Sequence, residues 1–104
     1  MYTLIETPTF KNDVEKIWSE DERGNFCTWL AANPDSGDVI PGSGGCRKIR
    51  WSKRGIGKRG GVRIIYYTKL ASGKIWLLVI YSKSIKENIP AHILKLIRDV
   101  IEHE

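Results

Sequence analysis

Residues 62–81, with the sequence VRIIYYTKLASGKIWLLVIY, decide the fold. Two apolar runs flank the short connection at residues 70–73, which is the length that joins neighbouring antiparallel strands. Both runs are nearly continuous, and this is typical of central strands that are at least partly covered on both faces. The stretch therefore predicts a hairpin at the centre of a β-sheet, with strands over residues 62–69 and 74–81.

The segments on either side predict a single α+β domain over residues 1–104. A strand is expected at residues 46–51, after a loop at 34–45 that is rich in Gly, Pro, Asp and Ser. A first strand at residues 2–6 precedes two helices, the second of which starts at a Ser19 cap and ends at Asn33-Pro34. Pro90 opens a last helix. The order β-α-α-β-β-β-α predicts a mainly antiparallel sheet, flanked by an N-terminal helical hairpin and a C-terminal helix.

We expect these helices to cover one side of the sheet and to leave the other side partly open. Each helix has an apolar stripe at helical spacing that should face the core. The stripes consist of Phe10, Val14, Ile17 and Trp18 in the first helix, Phe26, Trp29 and Leu30 in the second, and Ile93, Leu96, Ile97, Val100 and Ile101 in the last.

The composition excludes several classes of protein. The N-terminus lacks the basic and apolar regions of a signal peptide, and no apolar run reaches the roughly 20 residues of a membrane span. A soluble, cytoplasmic protein is therefore expected. Cys27 and Cys46 lack the close spacing of a zinc or redox pair, so buried free thiols are predicted and no metal or other cofactor is expected.

The charges are divided unevenly along the chain. Residues 39–86 contain twelve Lys or Arg and no Asp or Glu, so the net charge of +5 divides into +12 for this segment and −7 for the rest. A mixed, solubilising surface does not explain 48 residues without a carboxylate. Such a segment indicates contact with a polyanion, because it releases counterions from nucleic acid and steers association.

Residues 46–63, CRKIRWSKRGIGKRGGVR, hold most of this charge. On a strand, Lys48 and Arg50 project from one face and Arg47 from the other. The glycines after Trp51 allow a backbone to approach a phosphate closely, and neighbouring cations can neutralise it. A flexible, solvated hairpin tip is the alternative reading of this loop. The predicted RNA-binding residues are Lys48, Arg50, Lys53, Arg54 and Arg59.

Arg63 is the most informative residue, because a charge at the start of an apolar strand is costly unless it binds an anion or reaches water. The hairpin brings positions near 81 opposite positions near 63, so Arg63, Tyr81 and Lys83 can gather at one end of the sheet. Without carboxylates or histidines, this segment suits metal-free RNA cleavage, in which the 2′-OH attacks the adjacent phosphate and an arginine stabilises the phosphorane. Lys or Tyr could exchange protons if nearby cations lowered their pKa values from about 10.

The chain resembles HigB-type toxins of the RelE superfamily over nearly its whole length. The resemblance lies in GDVI at residues 37–40, GSGGCRKIR at 42–50, GKRGGVRIIYY at 57–67 and LVIYSK at 78–83. It implies a RelE-like fold and a ribosome-dependent endoribonuclease that cleaves mRNA in the ribosomal A site without metal and halts translation. Its implied partners are the ribosome, mRNA and a cognate helix-turn-helix antitoxin, through which the complex contacts operator DNA.

The resemblance also assigns roles to individual residues. Arg63 matches the strand arginine that contacts the scissile phosphate in that family. Lys58 and Arg59 match basic loop positions, whereas Tyr81 and Lys83 fall near the catalytic residues at the end of the sheet. The predicted catalytic residues are therefore Arg63, Lys58, Tyr81 and Lys83, and the division of acid and base roles among the last three stays open.

Two other functions fit the same fold. ParE-like toxins bind DNA gyrase as protein inhibitors, although a protein target would not require such an excess of cations. A nucleic-acid-binding module without catalysis would have the same basic loop and would bind with a steep dependence on salt.

Overall fold

The computed structural model describes residues 2–51, 61–82 and 89–104. Over these residues the protein is α+β, as predicted, with three α-helices and one five-stranded mixed sheet. The elements are β1 (Thr3–Glu6), α1 (Pro8–Ile17), α2 (Glu20–Ala32), β2 (Asp38–Val39), β3 (Arg47–Trp51), β4 (Val62–Lys69), β5 (Lys74–Ser82) and α3 (Ala91–Glu102), with a 3-10 turn at Leu70–Ser72 between β4 and β5.

The strand order in the sheet is β1-β5-β4-β3-β2. Only β1 runs parallel to its neighbour, β5, and the other three pairings are antiparallel, so the prediction of a mainly antiparallel sheet is confirmed. The short strand β2 lies inside the segment that the sequence predicted as a loop. Its two residues are too few to show an alternating pattern, and pairing with β3 places Asp38 opposite Lys48 and Val39 opposite Arg47.

A β-bulge interrupts the central hairpin. Ile65 is paired with Val79 and Tyr66 with Leu77, so Leu78 is an extra residue in β5. Leu78 and Val79 consequently belong to the same side of the sheet, whereas Leu77 and Ile80 belong to the other. This change of parity explains why the apolar run in β5 is continuous.

The sheet separates two hydrophobic cores, so the expectation that one side stays partly open is wrong. Helices α1 and α2 bury Phe10, Val14, Phe26 and Leu30 against one side, and α3 packs on the opposite side. The residues of this second core include Cys46, Ile65, Leu78, Val79, Tyr81, Leu94 and Ile101. Coverage of both sides accounts for the scarcity of polar residues in β4 and β5.

The predicted core stripe of α3 is partly wrong. The buried residues are Leu94 and Ile101, with Ile97 packed against them, whereas Ile93, Leu96 and Val100 are exposed. The apolar residues of α3 cover a wider arc of the helix than the sheet can contact. The sheet therefore packs against one edge of that arc. The stripes predicted for α1 and α2 pack in the first core, with Ile17 and Trp29 only partly buried.

The predicted helix starts are confirmed. Thr7 caps α1 ahead of Pro8, and its hydroxyl accepts from the Phe10 backbone N–H. Ser19 caps α2 through a capping box with Glu22. Within the described parts of the chain, no helix is long and apolar enough to cross a membrane.

Candidate nucleic-acid interface

A groove of about 520 Å³ opens on the α3 side of the sheet, where β2, β3 and β4 lie side by side. Its basic wall consists of Lys48 and Arg50 from β3 and Arg63 from β4. Apolar residues of the segment around β2 also line it, namely Val39, Ile40 and Pro41, with the Val39 side chain on the side of Arg47. The remaining lining residues are Ser36, Asp38 and Ile49.

Arg50 and Arg63 are directly opposite each other in the antiparallel pair of β3 and β4. Such partners have Cβ atoms about 4.5–5.5 Å apart, and like charges in this arrangement are destabilising. Arg50 is exposed and Arg63 is half-buried, and neither forms an ion pair with any described carboxylate. An anion bound between the two guanidinium groups would relieve this repulsion.

Tyr81 lies beside Arg63 on the other flank, because the two residues are partners in the pairing of β4 and β5. The predicted juxtaposition of these residues is therefore present in the structure. Tyr81 is only 9% exposed and packs in the second core, which α3 covers. It is therefore adjacent to Arg63 but does not line the groove.

Lys48 extends the basic wall by one step, two residues from Arg50 on the same side of β3. Arg47 projects to the other side and has a structural role. Its guanidinium donates to the backbone oxygens of Gly37, at 2.7 Å, and Asp35, at 3.2 Å. These bonds fix the segment that leads into β2.

Asp38 is not among the site residues that the sequence predicted. It precedes the carboxylate-free segment, and nothing in the sequence showed that it would pair with Lys48 across two strands. Of the described residues that line the groove, Asp38 is the only one with a carboxylate. The pairing of the glycine-rich segment with the basic strand could have been suggested only by their closeness along the chain.

A side chain of the first core also holds the segment that leads into β2. The buried Tyr66 hydroxyl donates to the Pro34 backbone oxygen, at 2.8 Å, and accepts from the Gly37 N–H, at 2.9 Å. Burial raises the pKa of Tyr66, so its hydroxyl stays protonated at neutral pH and both bonds are kept. The wall of the groove is thus anchored to a side chain of the first core.

The glycine-rich turn at residues 42–45 has a structural role in the described chain. The fully buried Ser43 hydroxyl donates to the Ile40 backbone oxygen, at 2.6 Å, and accepts from the Cys46 N–H, at 3.0 Å. Gly42, Gly44 and Gly45 have positive φ angles, which glycine adopts without strain. Arg98 of α3 donates to the Gly44 oxygen, so this turn connects β2, β3 and α3.

Five of the predicted site residues lie outside the residues that the structure describes. They are the predicted catalytic residues Lys58 and Lys83 and the predicted RNA-binding residues Lys53, Arg54 and Arg59. Their neighbours Trp51 and Val62 are paired at the ends of β3 and β4, and Ser82 closes β5 opposite Val62. Trp51, Val62 and Ser82 are thus at the same end of the sheet as Arg63 and Tyr81.

A second cavity, of about 680 Å³, lies away from the basic groove between β1 and the first two helices. Its charged residues neutralise each other, since the Arg23 guanidinium donates to the Glu6 carboxylate. Burial raises the pKa of the Cys27 thiol there to about 11, so it is protonated at neutral pH and a poor nucleophile. Although this cavity is larger, the basic groove has the chemistry that suits a ligand.

The cysteines are free, as predicted, with Cys46 buried and Cys27 partly so. Among the described side chains, no group of three or more His, Cys, Asp or Glu residues could hold a metal ion. A scan of protein-family models finds none that matches this chain.

Proposed function

We propose that this protein is the toxin of a type II toxin–antitoxin module and a ribosome-dependent, metal-free endoribonuclease. It would act in the cytoplasm and inhibit translation by cleaving mRNA in the ribosomal A site. The proposal combines the sequence resemblance to HigB-type toxins with the chemistry of the groove. A RelE-like fold is part of the proposal, and the α+β sheet is consistent with it.

One observation supports an RNA substrate above the others, namely the direct cross-strand pairing of Arg50 with Arg63. Two arginines side by side, without an ion-pair partner among the described residues, destabilise the free protein, and a phosphate group would offset that cost with charge-assisted hydrogen bonds. Lys48 extends the positive wall beyond this pair, so the groove could contact more than one phosphate. Gyrase inhibition, the alternative from the sequence, does not require such a phosphate-sized cationic pair.

The chemistry follows from the position of Arg63. The 2′-oxygen attacks the neighbouring phosphorus, the bond from phosphorus to the 5′-oxygen breaks, and the products carry a 2′,3′-cyclic phosphate and a 5′-hydroxyl. Arg63 would stabilise the phosphorane, because its planar guanidinium can hold two of the equatorial oxygens. One group must remove the 2′-OH proton and another must protonate the leaving oxygen. Tyr81, Lys58 and Lys83 are the candidates for these two roles.

The ribosome would supply part of the catalysis by holding the messenger in a reactive geometry. This explains why a site without a histidine or a metal-binding cluster among its described residues could act on a messenger in the A site. The proposed protein partner is a helix-turn-helix antitoxin, which would neutralise the toxin and repress their shared operon.

Primer extension on a defined messenger in stalled ribosomes tests the proposal. Wild-type protein should cleave within the A-site codon, and Arg63→Ala should lower the cleavage rate by about 10²–10³-fold, as for loss of a group that stabilises an oxyanion. Arg63→Lys should restore only part of the rate, because lysine retains the charge and loses the bidentate fork.

Lys74→Ala is the matched control, because Lys74 is an exposed cation at the opposite end of β5 from Arg63. It should cleave at the wild-type rate. Absence of cleavage by folded wild-type protein, or equal rates for Arg63→Ala and Lys74→Ala, would contradict the proposal. DNA damage upon expression, without a stop in protein synthesis, would favour a gyrase inhibitor.

A further inference from the structure

The carboxylate of Asp38 is placed in a groove whose other charged residues are all basic. Asp38 is exposed and lies opposite Lys48, yet it forms no ion pair or hydrogen bond with any described side chain. Its carboxylate therefore has no direct partner among the described side chains and is accessible to a ligand. In a groove that binds phosphates, a carboxylate that only repelled them would weaken binding.

The position of Asp38 separates it from the phosphate site. Asp38 lies two strands away from Arg63 and is displaced by two residues along the strand direction. With strands about 4.8 Å apart and a rise of about 3.4 Å per residue, the two Cα atoms are roughly 12 Å apart. A phosphate held by Arg50 and Arg63 would thus leave Asp38 free to contact another part of the RNA.

The apolar wall indicates which part that would be. Ile40 and Pro41 line the groove next to Asp38, and Ile40 packs on the same side of the sheet as α3, whereas the Val39 side chain projects to the other side with Arg47. A nucleobase has two apolar faces and one polar edge, so it could pack on this wall and direct its edge towards the carboxylate. The volume of about 520 Å³ lies within the range of sites for small ligands, about 300–1,000 Å³.

An ionised carboxylate can only accept hydrogen bonds, so it selects bases that donate them. Cytosine, adenine and guanine carry exocyclic amino groups, whereas the N3–H donor of uracil is flanked by two carbonyl oxygens that repel a carboxylate. Acceptance from the cytosine amino group is an established use of Asp and Glu in reading base edges. The bonds from Arg47 and Tyr66 hold this segment in place, so the carboxylate is preorganised for such a contact.

We propose that Asp38 and the wall at residues 40–41 form a nucleobase subsite, in which the Asp38 carboxylate accepts a hydrogen bond from an exocyclic amino group and disfavours uracil. This inference rests on the RNA-binding part of the proposed function and assigns a base preference to the same groove. It predicts that recognition of the base and stabilisation of the phosphate are carried by different residues.

The test measures binding, so that it is independent of cleavage. Fluorescence anisotropy would follow labelled heptamers of cytidine, adenosine and uridine with 2′-O-methyl sugars, which cannot undergo attack by a 2′-OH. Wild-type protein should bind the cytidine and adenosine heptamers about tenfold more tightly than the uridine heptamer, which is the discrimination expected for one base-edge contact.

Asp38→Ala should abolish this preference. Asp38→Asn removes the same charge and keeps an acceptor oxygen, so it should retain part of the preference. Glu15→Ala is the matched control, because Glu15 is an exposed carboxylate on α1, on the other side of the sheet from the groove, and does not line it. It should leave the preference unchanged.

Three results would overturn the subsite. They are equal binding of the three heptamers by the wild type, no binding at all, or a uniform rise in the affinity of Asp38→Ala for all three with the ratio unchanged. The last result would show that Asp38 acts only by repelling phosphate. Primer extension reports separately on the proposed function, so a base preference without cleavage would contradict the nuclease and leave the subsite standing.

Discussion

The hydrogen bonds between Tyr66 and residues 34–37 tie the first core to the candidate RNA groove. Gly37 permits this contact, because a Cβ atom at that position would lie 2.8 Å from the Tyr66 hydroxyl oxygen and 3.1 Å from the Lys48 backbone oxygen. The tyrosine ring is fully buried and the second neighbour is backbone, so neither can move aside at low cost. Glycine is required here for space and not for an unusual φ angle.

Gly37→Ala should therefore destabilise the protein by about 1–3 kcal/mol, the usual cost of overpacking. Gly24→Ala is the matched substitution, because Gly24 lies inside α2 and a Cβ atom there would have no neighbour within 4 Å. It should stabilise the protein by about 0.5–1 kcal/mol through helix propensity. Urea unfolding of both variants would measure the two free energies, and a stable Gly37→Ala protein would contradict the packing described here.

The sequence predicted some residues of the site better than others. The closeness of Arg63 and Tyr81 could be predicted, because a short connection between two strands restricts which residues face each other. Their direct pairing depends on the bulge at Leu78, since regular pairing would place Ile80 opposite Arg63. Asp38 could not be predicted, since its partner lies beyond the glycine-rich turn and two residues show no periodicity. Lys48 and Arg50 followed from the alternation of a strand, and Arg47 followed as the residue that faces away.

At the scale of elements, α3 illustrates what an amphipathic pattern leaves undecided. Its apolar residues cover a wide arc, and the pattern alone does not indicate which edge of that arc the sheet will contact. Tertiary contacts fix the orientation of the helix. Lys69 donates to the Ile101 backbone oxygen, and Tyr67 donates to the Glu102 carboxylate at 2.5 Å. Arg98 donates to the Gly44 backbone oxygen. These polar bonds turn Leu94 inwards and Leu96 outwards.

Two leucines on this helix allow a direct comparison. Leu94 is 1% exposed and Leu96 is 60% exposed. Leu94→Ala should lower the free energy of unfolding by about 2–5 kcal/mol, because it leaves a cavity between α3 and the sheet. Leu96→Ala should change it by less than about 0.5 kcal/mol. Thermal or urea unfolding would measure both, and equal losses would show that α3 is rotated from the orientation described here.

At the scale of the whole molecule, both cores contain groups that must stay protonated. Burial raises the pKa values of Cys27 and Tyr66 in the first core and of Cys46 and Tyr67 in the second. Each group therefore binds its proton more tightly in the folded chain than in the unfolded chain. Their contribution to stability is present below the unfolded pKa and is lost as the pH rises through the folded pKa.

The free energy of unfolding should consequently fall above about pH 9. For Cys27 the window runs from the ordinary thiol value of 9.0 to about 11. Urea midpoints measured between pH 7 and pH 11 should decrease, and the decrease should be smaller for Cys27→Ala. A midpoint that stays constant to pH 11, or an unchanged slope in the variant, would contradict the burial of these groups.

The fold class, the helices and the central hairpin were predictable because long apolar periodicities determine them. The helical stripes did not predict that helices cover both faces of the sheet, because an apolar stripe does not indicate which face it will pack against. The nearly continuous apolar runs of β4 and β5 already indicated two covered faces, and the structure shows that this local signal was the better guide.

The bulge at Leu78 has a consequence for how this gene can vary. Because one extra residue reverses the parity of β5, Tyr81 faces the same side of the sheet as Arg63, and α3 covers that side. Removal of the Leu78 codon alone would restore regular alternation with the other pairs of β4 and β5 unchanged, so Tyr81 would stay opposite Arg63. A deletion elsewhere in β5 that kept the bulge would shift the strand by one residue and turn Tyr81 towards the opposite face. Among changes in the number of codons in β5, descendants of this gene should therefore accept loss of the bulge residue most readily.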